Sequence, residues 1–229
     1  MIDLHGFGHQ LLLGLMLTVE LALCSLFLGL VLGVLGALSK TSKSKALQAI
    51  GGAYTTIIRG IPELLVVLLI YFGATTVLMG VAGLFGYHEY IELNAFLAGV
   101  IALGLMFGGY ATEIFRGALQ AIPQGQFESS MVLGMPTSKS FFRIILPQVW
   151  RVALPGLGNL FLVLLKDTAL VSVVGLDELM RKSSLAVSFT KEPFTFYMAA
   201  ACLYLILTSI SMLLIHRMEN WANKGMECS

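Results

Sequence analysis

GQFESSMVLGM, residues 125–135, is a polar island in an apolar chain. Ile122, Pro123 and Gln124 end whatever precedes it, and Gly134 and Pro136 end the stretch itself. No helix breaker falls between Gln126 and Leu133, so the spacing predicts a helix of about two turns there. Phe127, Met131 and Leu133 lie broadly toward one side of it, and Glu128 falls in the first turn, where an acid suits the positive end of the helix dipole. So short a helix is marginal alone. It must rest its apolar side on lipid headgroups or enter a groove on a soluble partner.

The sequence around the island explains why it stands out. Of 229 residues, 57% are hydrophobic and only 12% charged, about half the charged share of a soluble domain. Stretches without an ionisable side chain run over residues 21–39, 64–87, 94–112, 152–165 and 194–215. Runs of about 18 or more apolar residues indicate spans of a bilayer core roughly 30 Å thick. The fourth reaches full length only when carried through Lys166 and Asp167 to Val174, which puts a charged pair inside it. Five transmembrane helices are expected. The first begins near Leu11 with no basic segment before it, unlike a cleaved signal peptide.

Loop charge gives the orientation. Lys40, Lys43 and Lys45 follow span one, and Arg116, Lys139, Arg143 and Arg151 surround the island. Arg217 and Lys224 lie in the tail, and Arg59 belongs on the same side. The other side has Arg181, Lys182 and Lys191, offset by Asp177, Glu178 and Glu192, together with the acidic Glu89 and Glu92. Lys/Arg excess in short loops marks the cytoplasmic face. The N-terminus is therefore expected in the periplasm and the C-terminus and the island in the cytoplasm. Pro62, Pro147 and Pro193 sit near span starts, where a missing N–H costs little, whereas Pro155 falls within span four and is expected to kink it.

Several chemistries are excluded. There is no G-x-x-x-x-G-K-[ST] phosphate loop, and Thr41-Ser42-Lys43-Ser44 lacks both glycines. Cys24, Cys202 and Cys228 form no metal or disulfide pattern and read as small apolar fillers and a tail thiol. His5 and His9 are four apart without a third ligand; His88 and His216 lie at span ends. A formal net charge of +1 points to no nucleic acid. The chain is expected to have no catalytic residues or metal of its own.

Ionisable groups inside spans are costly and mark functional candidates. Glu20, Arg59, Glu63, Glu113, Arg116, Lys166 and Asp167 qualify. Arg59 and Glu63 are four apart and are expected on one helical face, and Glu113 and Arg116 are three apart. The arginines can equally snorkel to a boundary. Lys166-Asp167-Thr168 falls where a helix could break over a cavity; Asp167 could neutralise Lys166 or face a cationic solute. Gly29 and Gly33, and likewise Gly104 and Gly108, have the spacing of close membrane-helix contacts.

Glu128-Ser129-Ser130, three residues, then Gly134, followed by Ile145-Leu146-Pro147, resembles the cytoplasmic "EAA" loop of the membrane subunits of bacterial ABC importers. Both alanines are serines here, small replacements at unchanged spacing. Arg59-Gly60-Ile61-Pro62-Glu63-Leu64, Leu154-Pro155-Gly156-Leu157-Gly158-Asn159 and Leu164-Leu165-Lys166-Asp167-Thr168-Ala169 resemble the polar amino acid permease branch. Tyr110-Ala111-Thr112-Glu113-Ile114-Phe115-Arg116-Gly117 and the run Ala169–Glu178 are similar to the "Q"-type subunits of histidine, lysine/arginine/ornithine and opine importers. The resemblance covers nearly the whole chain.

It implies an all-α type I ABC importer permease: a single transmembrane permease domain over residues 1–229, with five transmembrane helices and a coupling loop over about 121–146. It implies a second homologous permease subunit, a heterodimer in preference to a homodimer, two cytoplasmic ATPase subunits that hold ATP and Mg, and a periplasmic solute-binding protein. The cargo would be a polar amino acid, cationic (arginine, ornithine, lysine or histidine) before glutamine or an opine. Gly125, Gln126, Phe127, Glu128, Ser129, Ser130, Met131 and Gly134 would couple to the ATPase. Glu63, Glu113, Lys166, Asp167 and Thr168 are candidates for the translocation cavity or gate. A secondary transporter or a membrane scaffold is the alternative; the first needs a larger bundle with inverted repeats, and the second has no use for the Lys166-Asp167 pair.

Overall fold

A computed structural model describes residues 6–84 and 94–223, with side chains left out at 81–84. His5, His88, Glu89, Glu92, Lys224 and Cys228 lie outside the described residues. The helices are α1 (Gly8–Thr41), α2 (Lys45–Gly60), α3 (Glu63–Leu84), α4 (Ala95–Ala121), α5 (Gln124–Val132) and α6 (Thr137–Ser140). A π-helical turn (Phe141–Ile145) then leads into α7 (Leu146–Asp167) and a 3-10 segment (Thr168–Val174), followed by α8 (Leu179–Thr190) and α9 (Pro193–Asn223). Five of these stretches are long and apolar enough to cross a membrane: Gly8–Thr41, Glu63–Gly80, Ala95–Ala121, Thr137–Val174 and Pro193–Asn223.

α4 is the axis of the bundle. Its most apolar window is 67% buried, against 11% for those of α3 and α9, which turn most of their surface outward. In lipid there is no hydrophobic gain from merely joining two apolar helices, so close backbone approach and dispersion must hold them. Small residues on α1 supply that approach. A Cβ on Gly36 would lie 2.2 Å from Thr112 Oγ1, and one on Gly29 would lie 2.6 Å from Phe107 Cδ1 and 3.0 Å from the Gly104 carbonyl oxygen. The Gly29/Gly33 and Gly104/Gly108 spacings thus face each other across one seam. Leu103, Phe107, Ala111, Val149, Ala153 and Leu164 continue the core from α4 into α7. A second, smaller cluster joins the start of α1 to α8 and α9 through Leu11, Leu179, Ala186, Phe196 and Ala200.

Three expectations change. The stretch after span one is not a bare linker: α2 is a separate amphipathic helix, with Gly51 and Thr55 buried and Leu47, Ile50 and Ile57 exposed. Its mixed composition hid it from a search for apolar runs. Pro62 immediately precedes span two, which starts at Glu63, but the helix before it is broken there. α2 ends at Gly60, Ile61 is extended (φ −105°, ψ 137°) and α3 starts at Glu63, as expected for a residue preceding proline. Arg59 and Glu63 therefore lie on two different helices and share no face. Cys24 and Cys202 are exposed on the outside of the bundle rather than filling the core. α7 runs through Pro155, whose ring removes the N–H that would reach the Arg151 carbonyl.

Candidate functional site

The start of α3 and the end of α7 meet. Glu63, first residue of α3, and Asp167, last of α7, line one cavity of about 250 Å³ with Leu103, Met106, Phe107 and Tyr110 of α4 and Leu160, Val163 and Leu164 of α7. Both acids arrive there because a helix stops. Ile61-Pro62 ends the helix before Glu63, and after Asp167 the chain tightens into the 3-10 segment, which Gly175 closes at φ 93°. Two carboxylates and a tyrosine above an otherwise apolar wall suit a ligand bearing positive charge and an aliphatic stem.

The neighbours of Asp167 do not share that cavity. Lys166 is exposed and does not line it, and among the described residues it makes no ion pair with Asp167. Thr168 is buried, its hydroxyl spent on the Leu165 carbonyl at 2.8 Å. Glu113 lies in a second, polar cavity of about 530 Å³, lined also by Lys40, Thr55, Thr56, Arg59, Gly60 and Tyr110. There it accepts from Lys40 and from Arg116, whose Nε and Nη2 reach Oε2 at 2.9 and 2.7 Å. Lys40 also donates to Thr55 at 2.9 Å. The cluster ties α1, α2 and α4 together. Tyr110 lines both cavities, and the Arg59 guanidinium stands over its ring at 5.4 Å, a cation–π contact. Lys40 was legible only as a loop charge, and Arg59 only as a boundary charge or a neighbour of Glu63, because the partners they meet are far away in sequence.

The island forms α5, beginning two residues before the expected start. Glu128 consequently sits in the second turn, outside the reach of the dipole argument. The apolar side is also different. Phe127 packs against the core, whereas Met131, Val132 and Leu133 are 60%, 87% and 76% exposed. Gly125, Gln126, Glu128 and Ser129 are exposed as well. The two serines have separate roles. Ser130 is buried, bonded to Ser140 of α6 and to the Phe127 carbonyl, so only Ser129 is presented outward.

Gly134 closes α5. Its N–H reaches the Met131 carbonyl at 2.9 Å, and the Met135 N–H reaches that of Ser130 at 3.1 Å. With Gly134 at φ 71°, these two bonds make a Schellman cap. The turn sends the chain into α6 and, through the π turn, into α7.

One structural acid was missed. Glu178 counts by sequence as a loop charge, yet its side chain is fully buried. It caps α8, accepting from the Met180 and Arg181 N–H groups at 2.9 and 2.8 Å, and also from the Tyr204 hydroxyl at 3.2 Å. Thr18 of α1 accepts from the adjacent Leu179 N–H at 3.2 Å. Burial pushes the Glu178 carboxyl above its ordinary range, against the pull of the donors around it. An acid at the N-cap followed by an apolar helical run was the available signal.

A broken-helix cavity and a capped, exposed helix leading into α7 are now joined by kinship. Residues 28–221 match the family described as binding-protein-dependent transport system inner membrane component. The chain belongs to that family. This permease is 45% identical over 222 residues to the nopaline transport system permease protein NocQ of Agrobacterium fabrum, covering 96% of this chain and 94% of that one. It is 43% identical over 215 residues to the arginine ABC transporter permease protein ArtQ of Escherichia coli K12, covering 89% and 90%. It is 40% identical over 217 residues to the histidine/lysine/arginine/ornithine transport system permease protein HisQ of Salmonella typhimurium, covering 93% and 95%. Among solved structures, an amino acid ABC transporter crystallised with histidines superposes with a TM-score of 0.78 at 34% identity, covering 92% and 93%. The inward-facing MetNI methionine transporter superposes at 0.72 with 20% identity over 93% and 96%, a likeness of fold. The permease has the type I ABC importer fold and is a multi-pass membrane protein serving an amino acid ABC importer.

Proposed function

We propose that this permease passes a cationic amino acid (arginine, ornithine, lysine or histidine) from a periplasmic binding protein to the cytoplasm. One observation carries the reading: Glu63 and Asp167, brought from separate helix breaks, line a single cavity beside Tyr110. Two carboxylates in a low-dielectric wall favour a cationic solute and disfavour a neutral one of equal size. The names of ArtQ and HisQ, which specify arginine and histidine/lysine/arginine/ornithine systems, point the same way. The N-terminus is periplasmic and the C-terminus cytoplasmic, as the basic residues around α5 argue.

The permease works beside a second homologous subunit, as a heterodimer rather than a homodimer. Two ATPase subunits on the cytoplasmic face supply ATP and Mg, and with them the hydrolysis this chain has no motif for. Met131, Val132 and Leu133 of α5 enter a groove on the ATPase, with Glu128 and Ser129 at the rim. α5 is tied to α6 by Ser130 and Ser140, and α6 runs on into α7. A displacement of α5 is therefore delivered along the 22 residues of α7, roughly 33 Å at 1.5 Å per residue, to Asp167. Tyr110 lines both the solute cavity and the polar vestibule of Lys40 and Glu113, and with Arg59 over its ring on the vestibule side it guards the exit.

An opine cargo is a second reading, supported by the 45% identity to NocQ. Uptake by the reconstituted complex, with radiolabelled arginine and competing ornithine, histidine, glutamine and nopaline, separates the two. Glu63→Gln and Asp167→Asn are each expected to raise the KM for arginine about tenfold or more, the equivalent of one charge-assisted contact. Preference for glutamine, or an unchanged KM in both variants, rejects the cationic cavity.

A further inference from the structure

A groove on the opposite side of α7 is built for a different ligand. Between α1, α7 and α9 lie two cavities that share Trp150. One, of about 430 Å³, is walled almost wholly by apolar side chains, from Val19, Leu23 and Leu30 of α1 to Leu157 of α7 and Leu207 and Leu214 of α9. The other, of about 740 Å³, continues toward the α5 side of the bundle and is lined by Trp150, Arg151, Trp221, Phe115 and Val34. Together they follow α1 from Val19 to Val34, roughly 22 Å at 1.5 Å per residue, which takes in one leaflet of a core roughly 30 Å thick.

The groove is sorted by polarity along its length. Its deep part offers nothing to a polar ligand: Ser211 is the one hydroxyl there, and it is committed to the Leu207 carbonyl at 2.9 Å. Its mouth holds both tryptophans of the chain, Trp150 and Trp221, a residue type that sits at the headgroup level of membranes. Arg151 lines the same mouth, and among the described residues it makes no ion pair with a carboxylate. A half-exposed guanidinium with its donors uncommitted, beside interfacial indoles and above an apolar slot, matches a phosphate joined to an acyl chain.

We propose that this groove is a binding site for an anionic phospholipid of the leaflet on the α5 side, with Arg151 on the headgroup phosphate and an acyl chain between α1, α7 and α9. The site wedges against α7, the helix that joins α5 to the solute cavity, so an occupant stiffens that connection. The inference does not depend on which amino acid is carried.

The test uses the whole transporter, purified in mild detergent and washed free of bulk lipid, with bound lipid counted by native mass spectrometry. Offered equal phosphatidylglycerol and phosphatidylcholine, the wild-type complex is expected to retain phosphatidylglycerol preferentially. Arg151→Gln is expected to weaken its retention about tenfold, one charge-assisted contact. Arg151→Lys keeps the cation and is expected to retain most of it, and Arg143→Gln, an exposed cation outside the groove, all of it. Equal retention by wild type and Arg151→Gln overturns the site. So does indifference of the wild type to headgroup charge, a readout that needs no variant to fold. A disulfide formed between Trp221→Cys and a cysteine placed in the second permease subunit also overturns it, since that face would then be covered by protein.

Discussion

Replacing Gly134 separates two accounts of the coupling helix. If the position needs smallness, damage should follow side-chain size. The geometry says otherwise: a Cβ on Gly134 meets nothing within 4 Å, while the backbone sits at φ +71°. The left-handed conformation costs an ordinary L-residue roughly 1–2 kcal/mol, less for asparagine, which visits it routinely. For a β-branched residue it is a genuine outlier. α5 has nine residues and little stability of its own. A loss of 1–2 kcal/mol therefore lowers the capped population by a factor of about 5–30. That cap aims Met131, Val132 and Leu133 outward and turns the chain so that Ser130 can meet Ser140. Solute-stimulated ATPase activity of the assembled transporter in nanodiscs is expected to fall in the order Gly134, Asn, Ala, Val. Asparagine is larger than alanine, so a size rule reverses the middle pair. Activity of Gly134→Asn below Gly134→Ala, or a fully active Gly134→Val, would refute the conformational account.

Two further substitutions probe the packing. Gly36→Ala places a Cβ 2.2 Å from Thr112 Oγ1, whose hydroxyl is held by the Gly108 carbonyl at 2.8 Å; overpacking of this kind costs about 1–3 kcal/mol and should lower the unfolding midpoint in detergent. Gly52→Ala meets nothing within 4 Å and should raise it by the helix-propensity gain of about 0.5–1 kcal/mol. At Glu178, Ala removes the cap of α8 and is expected to cost about 0.5–2 kcal/mol, whereas Gln keeps an acceptor and costs less. The acid also has a pH signature. Its folded-state pKa lies above the unfolded value because of burial, so its contribution is complete below the ordinary carboxyl range and is lost as pH rises through the folded value. Acidification from neutral pH should therefore stabilise wild type relative to Glu178→Gln, and a constant difference between the two would contradict that assignment.

Most of what depended on a run or a spacing was legible in the chain; the Arg59/Glu63 spacing failed because a helix ends between the two residues. The apolar stretches gave the spans, Gly134 and Pro136 bounded α5, and Lys166-Asp167-Thr168 fell where α7 gives way to a tighter helix. The failures also have physical causes. α2 is amphipathic, and its buried positions, Gly51 and Thr55, do not register as hydropathy. Glu178 looked solvated because its donors, two backbone N–H groups and Tyr204, are supplied by folding. The inward turn of Phe127 depends on α6 and α7 being there to receive it.

Sequence by itself determined that this is a five-span membrane chain with one short helix outside the apolar runs, because a bilayer sets the length of each span and helical period and breakers act over a few residues. The Glu113–Arg116 pair, three residues apart, was legible in the spacing, but only the tertiary structure decided which ionisable groups meet across helices. Glu63 shares a cavity with Asp167 rather than a helical face with Arg59, Glu113 answers to Lys40, and Arg151, which has no ion pair among the described residues, lines the mouth of an apolar slot. Those partnerships join residues tens of positions apart, and they depend on where helices break and how closely α1 can approach α4. Neither quantity is written in local spacing.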